Sequence, residues 1–507
     1  MPEKNRTYRA CIEGYTSEGL GVARIDGQAV FVHRALRGED CDVLILKVLK
    51  NAAFGKVVQV HEPSPHRREP DCPWYGRCGG CDFRHMDREE ELYAKRQRVQ
   101  DALRRIGGSD VTVETILSGE PLHYRNKSQY PVSADGQVGF YKARSHQVIP
   151  VDCCRIQKPQ AGAAAEALRR YIRECGVPCY DERTRRGLVR HLYVRTNSAG
   201  QSLVCVLVNG RKLPREDTLV SFMRQALPNA VGVVLGVNTQ PTGAVLGSEY
   251  RTLWGADVLE DTLCGLSFRL SVPSFYQVNH DMAEVLYDTA VDFAGLTGHE
   301  TVLDLYCGAG TISLLLAQKA RHVVGIEIVP QAILDAEENA RRNGVENVEF
   351  HAAAAEKLLP QLVEKGLRPQ VVVLDPPRKG CEEAVLAAIA QAAPERVVYV
   401  SCDPATLARD AKFLCAHGFQ ALRCQSVDMF CQTGHVETVM SLVQQKPDDI
   451  VKVGIDADEL AVTKAESKAT YGEIQTRVKE QTGLNVTPLY IAQVKRKHGI
   501  IERECYN

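Results

Sequence analysis

The stretch TVLDLYCGAGTISLLLAQ, residues 301–318, decides the fold class. It is an apolar strand, a glycine-bearing turn and an apolar helix in direct succession. Such a turn lets backbone approach a ligand, and the helix N-terminus offers free N–H groups. A dinucleotide fingerprint wants G-x-G-x-x-G; Gly308 and Gly310 supply two of the glycines and Ser313 stands in the third place. Alone this is a weak signal. Seventeen residues past Gly310, HVVGIEIVP ends a second strand on Glu327, placed as an acid should be to bind ribose hydroxyls. Together the two stretches point to an adenosine ligand held without pyrophosphate contacts.

Working outward, short apolar strands alternate with helices from about Asn279 to Val443, the signature of a doubly wound α/β parallel sheet. VVVLDPPRKG ends a strand in Asp375, at the carboxyl edge where open α/β sheets bind ligands; a plain strand-ending turn is the competing reading. RVVYVSC brings Cys402 to the same edge, and HVETVMSLV carries Glu437 at its start. Cys402 is either a small buried residue or a nucleophile. The following Asp-Pro stops the strand, and nothing there needs sulfur for packing.

Residues 7–60 alternate apolar and polar positions between Gly-rich turns, which predicts a small β-barrel. Arg24, His33, Arg34, Arg37, Lys47, Lys50 and Lys56 are spread over it, as solvated surface or as an RNA-facing set. HEPSPHRREPDCPWYGRCGGCDFRHM then breaks all periodicity and marks a boundary. Within it Cys72, Cys78 and Cys81 are spaced C-x5-C-x2-C, and VDCCRIQ adds Cys153 and Cys154. Three close thiolates and a distant one suit zinc or an iron-sulfur cluster, and the unpaired spacing favours the cluster. A charged helix is expected from about Asp87 to Arg105, and residues 110–270 read only as α+β. Arg125, Lys127, Tyr141, Lys142 and Arg144 alternate basic and aromatic character, suited to gripping an RNA loop or to a solvated strand pair. The expected units are a barrel over 1–62, a central α+β unit over 63–278, a nucleotide-binding unit over 279–445, and an appendage over 446–507 with a helix on DADELAVTKAESKATYGEIQTRVKEQTG.

The chain of 507 residues is too long for one core. Its formal charge of -1 excludes nucleic-acid binding by net charge alone, so any RNA contact must be a local patch. MPEKNRTYRA lacks the apolar core of a signal peptide and no apolar run reaches membrane-spanning length, which reads as a cytoplasmic protein. Most of the 18 cysteines stand singly in apolar patterns, where a thiol behaves as a small hydrophobe.

These motifs resemble the RNA uracil-C5 methyltransferases, in particular the iron-sulfur branch acting on 23S ribosomal RNA, over about residues 5–445. The resemblance implies a TRAM-type RNA-binding barrel and a [4Fe-4S] cluster on Cys72, Cys78, Cys81 and Cys154. Cys154 is preferred to Cys153 because CRIQ follows the family's pattern. It also implies S-adenosylmethionine bound through Gln277 of SFYQVN, Tyr306, Gly308, Gly310, Glu327 and Asp375, a Cys402 nucleophile in SCDPATLARD, and a Glu437 base in DMFCQTGHVETV. The activity implied is formation of 5-methyluridine in 23S rRNA, with no membrane and no obligate protein partner. Positive or dipolar neighbours are expected to lower the Cys402 pKa. Two departures stand out: Cys431 replaces a common proline, and Ala354 replaces an acid that would bond adenine.

Overall fold

The computed structural model describes residues 1–445, 471–482, 486 and 491. Strands β1 (Thr7–Tyr15), β2 (Gly21–Ile25), β3 (Gln28–His33), β4 (Asp40–Val48) and β5 (Ala52–Glu62) close a barrel in the order β1-β2-β3-β5-β4. Alternate positions (Val30, Val32, Cys41, Val43, Ile45) fill its interior, as a period of two requires. The cysteine-bearing loop follows. Helix α1 (Arg88–Ala102) then starts where Asp87 accepts a hydrogen bond from Glu90 N at 3.1 Å.

The next region holds a five-stranded sheet ordered β12-β11-β10-β9-β6, from β6 (Lys127–Pro131), β9 (Val189–Thr196), β10 (Ser202–Val208), β11 (Ala230–Val237) and β12 (Glu249–Gly255). Two hairpins accompany it, β7 (Gly139–Tyr141) with β8 (Val148–Pro150) and β13 (Val258–Leu263) with β14 (Leu266–Ser271). Helices α2 (Pro159–Cys175) and α3 (Glu216–Ala226) contribute to the core on one face.

The third sheet has seven strands in the order β17-β16-β15-β18-β19-β21-β20: β15 (Thr301–Leu305), β16 (His322–Glu327), β17 (Val348–Ala352), β18 (Val371–Leu374), β19 (Arg396–Ser401), β20 (Phe419–Val427) and β21 (Glu437–Gln444). Helices α4 (His280–Ala294) and α5 (Thr311–Ala317) join the core on one face, whereas α7 (Ala355–Glu364), α8 (Glu383–Ala392) and α9 (Pro404–Ala416) join the core on the other; α6 (Pro330–Arg342) follows β16. Strand β18 shows why both faces are covered: Val371 and Val373 enter one core, Val372 and Leu374 the other. Burying each such side chain contributes about 1.5–3 kcal/mol. Val99 of helix α1 and Leu103 just past its end join the second core, so the segment after the cysteine loop packs on this sheet.

The sheet is not wholly parallel. Strand β21 runs antiparallel to both β19 and β20. That reversal brings the first residue of β21, Glu437, to the edge reached by the last residues of β18 and β19, which run parallel to each other. The expected appendage helix is described only over α10 (Tyr471–Thr482); the remainder of that expectation lies outside the described residues. Among the described residues no helix is long and apolar enough to cross a membrane.

Candidate functional site

The glycine-bearing turn needs its glycines: Gly308 and Gly310 take φ of 54° and 79°. Tyr306 takes φ 65° despite its side chain, the kind of conformation that clusters at ligand sites. Glu327 faces this turn, its carboxylate accepting from Gly308 N at 3.3 Å and Val329 N at 2.9 Å. Ser313 in the third glycine position has its own reason: its Oγ donates to buried Asp304 at 2.5 Å, tying α5 to β15. Ala354 is the N-cap of α7 with no side-chain bond to offer.

Gln277 is buried, and its carbonyl accepts from Asn126 Nδ2 at 2.9 Å. Its side chain meets the hydroxyl of Tyr287, which also bonds Thr311. Burial, then the neighbouring Asp375, pushes the Tyr287 phenol well up. Tyr287 of α4 therefore joins Gln277 and the start of α5 beside the carboxylates. No local motif marks it; only the fold brings it there.

Asp375, Cys402 and Glu437 meet at the carboxyl edge. Burial pushes Asp375 up to about 7. Glu437, 4% exposed, is pushed up to about 8 by burial and then by Asp375, against the pull of Arg378. Arg378 lies within DPPRKG, and its signal was a cation two prolines past the acid. The expectation for Cys402 is reversed. Burial, then Glu437 and Asp375, pushes its thiol up to about 11, and Arg378 only partly offsets them. At the N-terminus of α9 the side chain of Asp403 takes the free N–H groups, accepting from Ala405 N at 2.8 Å and Thr406 N at 3.3 Å.

A second site lies in the cysteine loop. Cys72, Cys78, Cys81 and Cys154 line one cavity of about 300 Å³, whereas Cys153 is exposed and outside it. Arg84 is buried and bonds the Cys81 thiol on one side and Asp71, at 2.5 Å, on the other. Four thiols and a buried guanidinium lining one cavity suit an anionic iron-sulfur cluster. Among the described residues no three of His, Cys, Asp or Glu are placed to hold a single metal ion. Of the basic residues expected to grip RNA, Arg125 and Lys127 line this cavity, while Lys142 and Arg144 are exposed beyond β7. Burial, with Arg195 and Arg125 nearby, pushes Lys127 down to about 8.

The model of the tRNA (uracil-5-)-methyltransferase family matches residues 87–445. The chain belongs to that family. A TRAM domain matches residues 3–58, over the barrel. An uncharacterised RNA methyltransferase of Clostridium tetani is 44% identical over 443 residues, covering 86% of this chain and 96% of that relative. Another, of Halalkalibacterium halodurans, is 45% identical over 445 residues, covering 87% and 97%. The crystal structure of Pyrococcus abyssi tRNA (uracil-54, C5)-methyltransferase in complex with S-adenosyl-L-homocysteine shares the fold, with a TM-score of 0.70 at 24% identity over 86% of this chain and 99% of that one. As a member of the uracil-5-methyltransferase family, the protein is an RNA methyltransferase of the S-adenosylmethionine-dependent class.

Proposed function

We propose that the protein makes 5-methyluridine in 23S rRNA, with Cys402 as nucleophile and Glu437 as base. The observation that carries this reading is the meeting of a thiol and a neutral-range carboxylate at the sheet edge beside the glycine turn. Uracil C5 is too weak a nucleophile to take a methyl group unaided. Once its proton has passed to solvent, the Cys402 thiolate adds through Sγ to C6, the C5=C6 electrons move toward the C4 oxygen, and C5 becomes an enolate carbon. S-adenosylmethionine supplies the sulfonium methyl that C5 takes. Glu437 then accepts the C5 proton, the electrons re-form C5=C6, and the C6–S bond breaks. Gln277, Tyr306, Gly308, Gly310, Glu327 and Asp375 hold the methyl donor in this reading. The target base must be unpaired or extruded for Sγ to reach C6.

A base pKa near 8 gives the reaction a pH signature. Glu437 accepts a proton only when ionised, so adduct breakdown rises with pH up to about 8 and levels above it. Single-turnover breakdown rates across this range check it; a flat profile assigns the proton to another group.

Cys72, Cys78, Cys81 and Cys154 would hold a [4Fe-4S] cluster, which supplies a rigid crosslink between the loop and the β8–α2 connection. Anaerobic loading with iron and sulfide is expected to give about four irons per chain. Cys154→Ser should lose the visible absorbance and Cys153→Ser should keep it. The reverse would reassign the fourth ligand.

The barrel and the cysteine loop favour 23S rRNA, because the resemblance carries them in that branch. The second reading, the same reaction on tRNA, is favoured by the family's description and by the substrate named for the archaeal relative. Labelled S-adenosylmethionine with unmodified 23S rRNA, 16S rRNA and tRNA separates them: 5-methyluridine is expected in 23S rRNA alone, and label in tRNA overturns the substrate but not the chemistry.

A further inference from the structure

Residues 428–434 lead into the strand that begins with Glu437, and the groups fixing them come from far away in sequence. Gln432 N donates to Glu91 at 2.5 Å and Gln432 Nε2 to the same carboxylate at 3.0 Å. Asp82 N and Phe83 N both donate to Gln432 O, at 2.8 and 3.1 Å. Gly434 N donates to Asp82 Oδ2 at 3.1 Å, and Gly434 O accepts from Arg98 at 2.5 Å. Tyr124 OH donates to Cys431 O at 2.9 Å, and Lys95 Nζ to Phe430 O at 3.0 Å.

The clamp is buried and charged. Lys95 bonds Glu91 at 2.9 Å and Asp428 at 2.5 Å, with Arg88 paired to both carboxylates. Gln432 is held at φ 68°, a conformation that persists only when the surroundings impose it. Asp82 directly follows Cys81. Cys431, Tyr124 and Ile156 form a small core against which Cys81 and Cys154 pack. The four-cysteine loop and the approach to Glu437 are therefore one packed unit.

We propose that the cysteine loop positions Glu437: Asp82, with helix α1, clamps residues 428–434, so the state of the four-cysteine cavity sets the rate of C5 proton removal. This rests on the reading of Glu437 as base. Asp82 is a positioning residue; it touches neither RNA nor methyl donor in this scheme. A cluster held by the four cysteines would bear on this step only through the clamp, with no electron exchanged with the substrate.

The test is Asp82→Ala, which removes the carboxylate from Gly434 N and leaves all four cysteines. Iron content and visible absorbance should match the parent, and label should reach RNA at the parent rate. Breakdown of the methylated adduct should slow by about tenfold, the scale of a small misplacement of a reacting group, and its pH midpoint should move. Gln432→Gly, which frees the strained residue while suiting its φ, should slow the same step and serves if Asp82→Ala fails to fold. Equal slowing of every step, or an unchanged ratio of adduct to free product, overturns the proposal. Glu437→Gln runs alongside: if it accumulates no adduct, the base assignment fails and takes this inference with it. A parent protein that binds no iron removes the cluster from the scheme and leaves the Asp82 result to decide the clamp.

Discussion

Cys402→Ala abolishes both methyl transfer and the covalent RNA adduct, with a loss of roughly 10⁴-fold or more, the scale on which nucleophile deletions act. The reason is specific to uracil: without addition at C6 no electron density reaches C5, and Cys381, bonded to Tyr399 in the loop after β18, is buried. Cys307, near the glycine turn, is buried beneath it and pushed well up by burial and by Asp304. RNA binding should survive the substitution, because the barrel and the exposed Lys142 and Arg144 are untouched. Gel-shift and labelled-transfer assays on the same preparation check this, and retained turnover would remove Cys402 from the mechanism.

Glu437→Gln gives the opposite picture, a methylated adduct that forms and does not resolve. Turnover is expected to fall by about 10² to 10⁴, the usual contribution of general acid–base catalysis. The amide fills the same buried site but cannot take the C5 proton. It also removes a charge that raises the Cys402 pKa, so adduct formation should be no slower than in the parent. Denaturing gels with labelled RNA read the adduct directly. Rapid product release would move the base role elsewhere, with Asp375 the next carboxylate at the edge.

Much of this was legible because period and chemistry coincide. The barrel shows its alternation in residues 7–60, and the strands ending in Asp375 and Cys402 announce their edge by the polar residue that stops each apolar run. The central sheet was not legible for a physical reason: β9 and β10 are buried along their whole length, so VRHLYVRT and SLVCVLV carry no two-residue period. The antiparallel turn of β21 left no mark either, although it is what delivers Glu437. The thiol pKa was misread because local sequence shows the helix start but not which side chain occupies it. Asp403 takes the N–H groups, and two carboxylates from distant strands supply the field. The clamp on residues 428–434 joins Asp82, Glu91, Arg98 and Tyr124, separated by more than three hundred residues from what they hold, and such contacts have no sequence signature.

The central claim is a covalent bond between Cys402 and uracil C6 during methyl transfer to C5. RNA with 5-fluorouridine in place of uridine tests it, because fluorine cannot leave as a proton and the methylated adduct is trapped. After incubation with S-adenosylmethionine, peptide mass spectrometry should find the nucleotide and the methyl group together on Cys402, and nothing when the methyl donor is omitted. Methyl transfer to ordinary RNA with no trapped adduct on Cys402 would contradict the account.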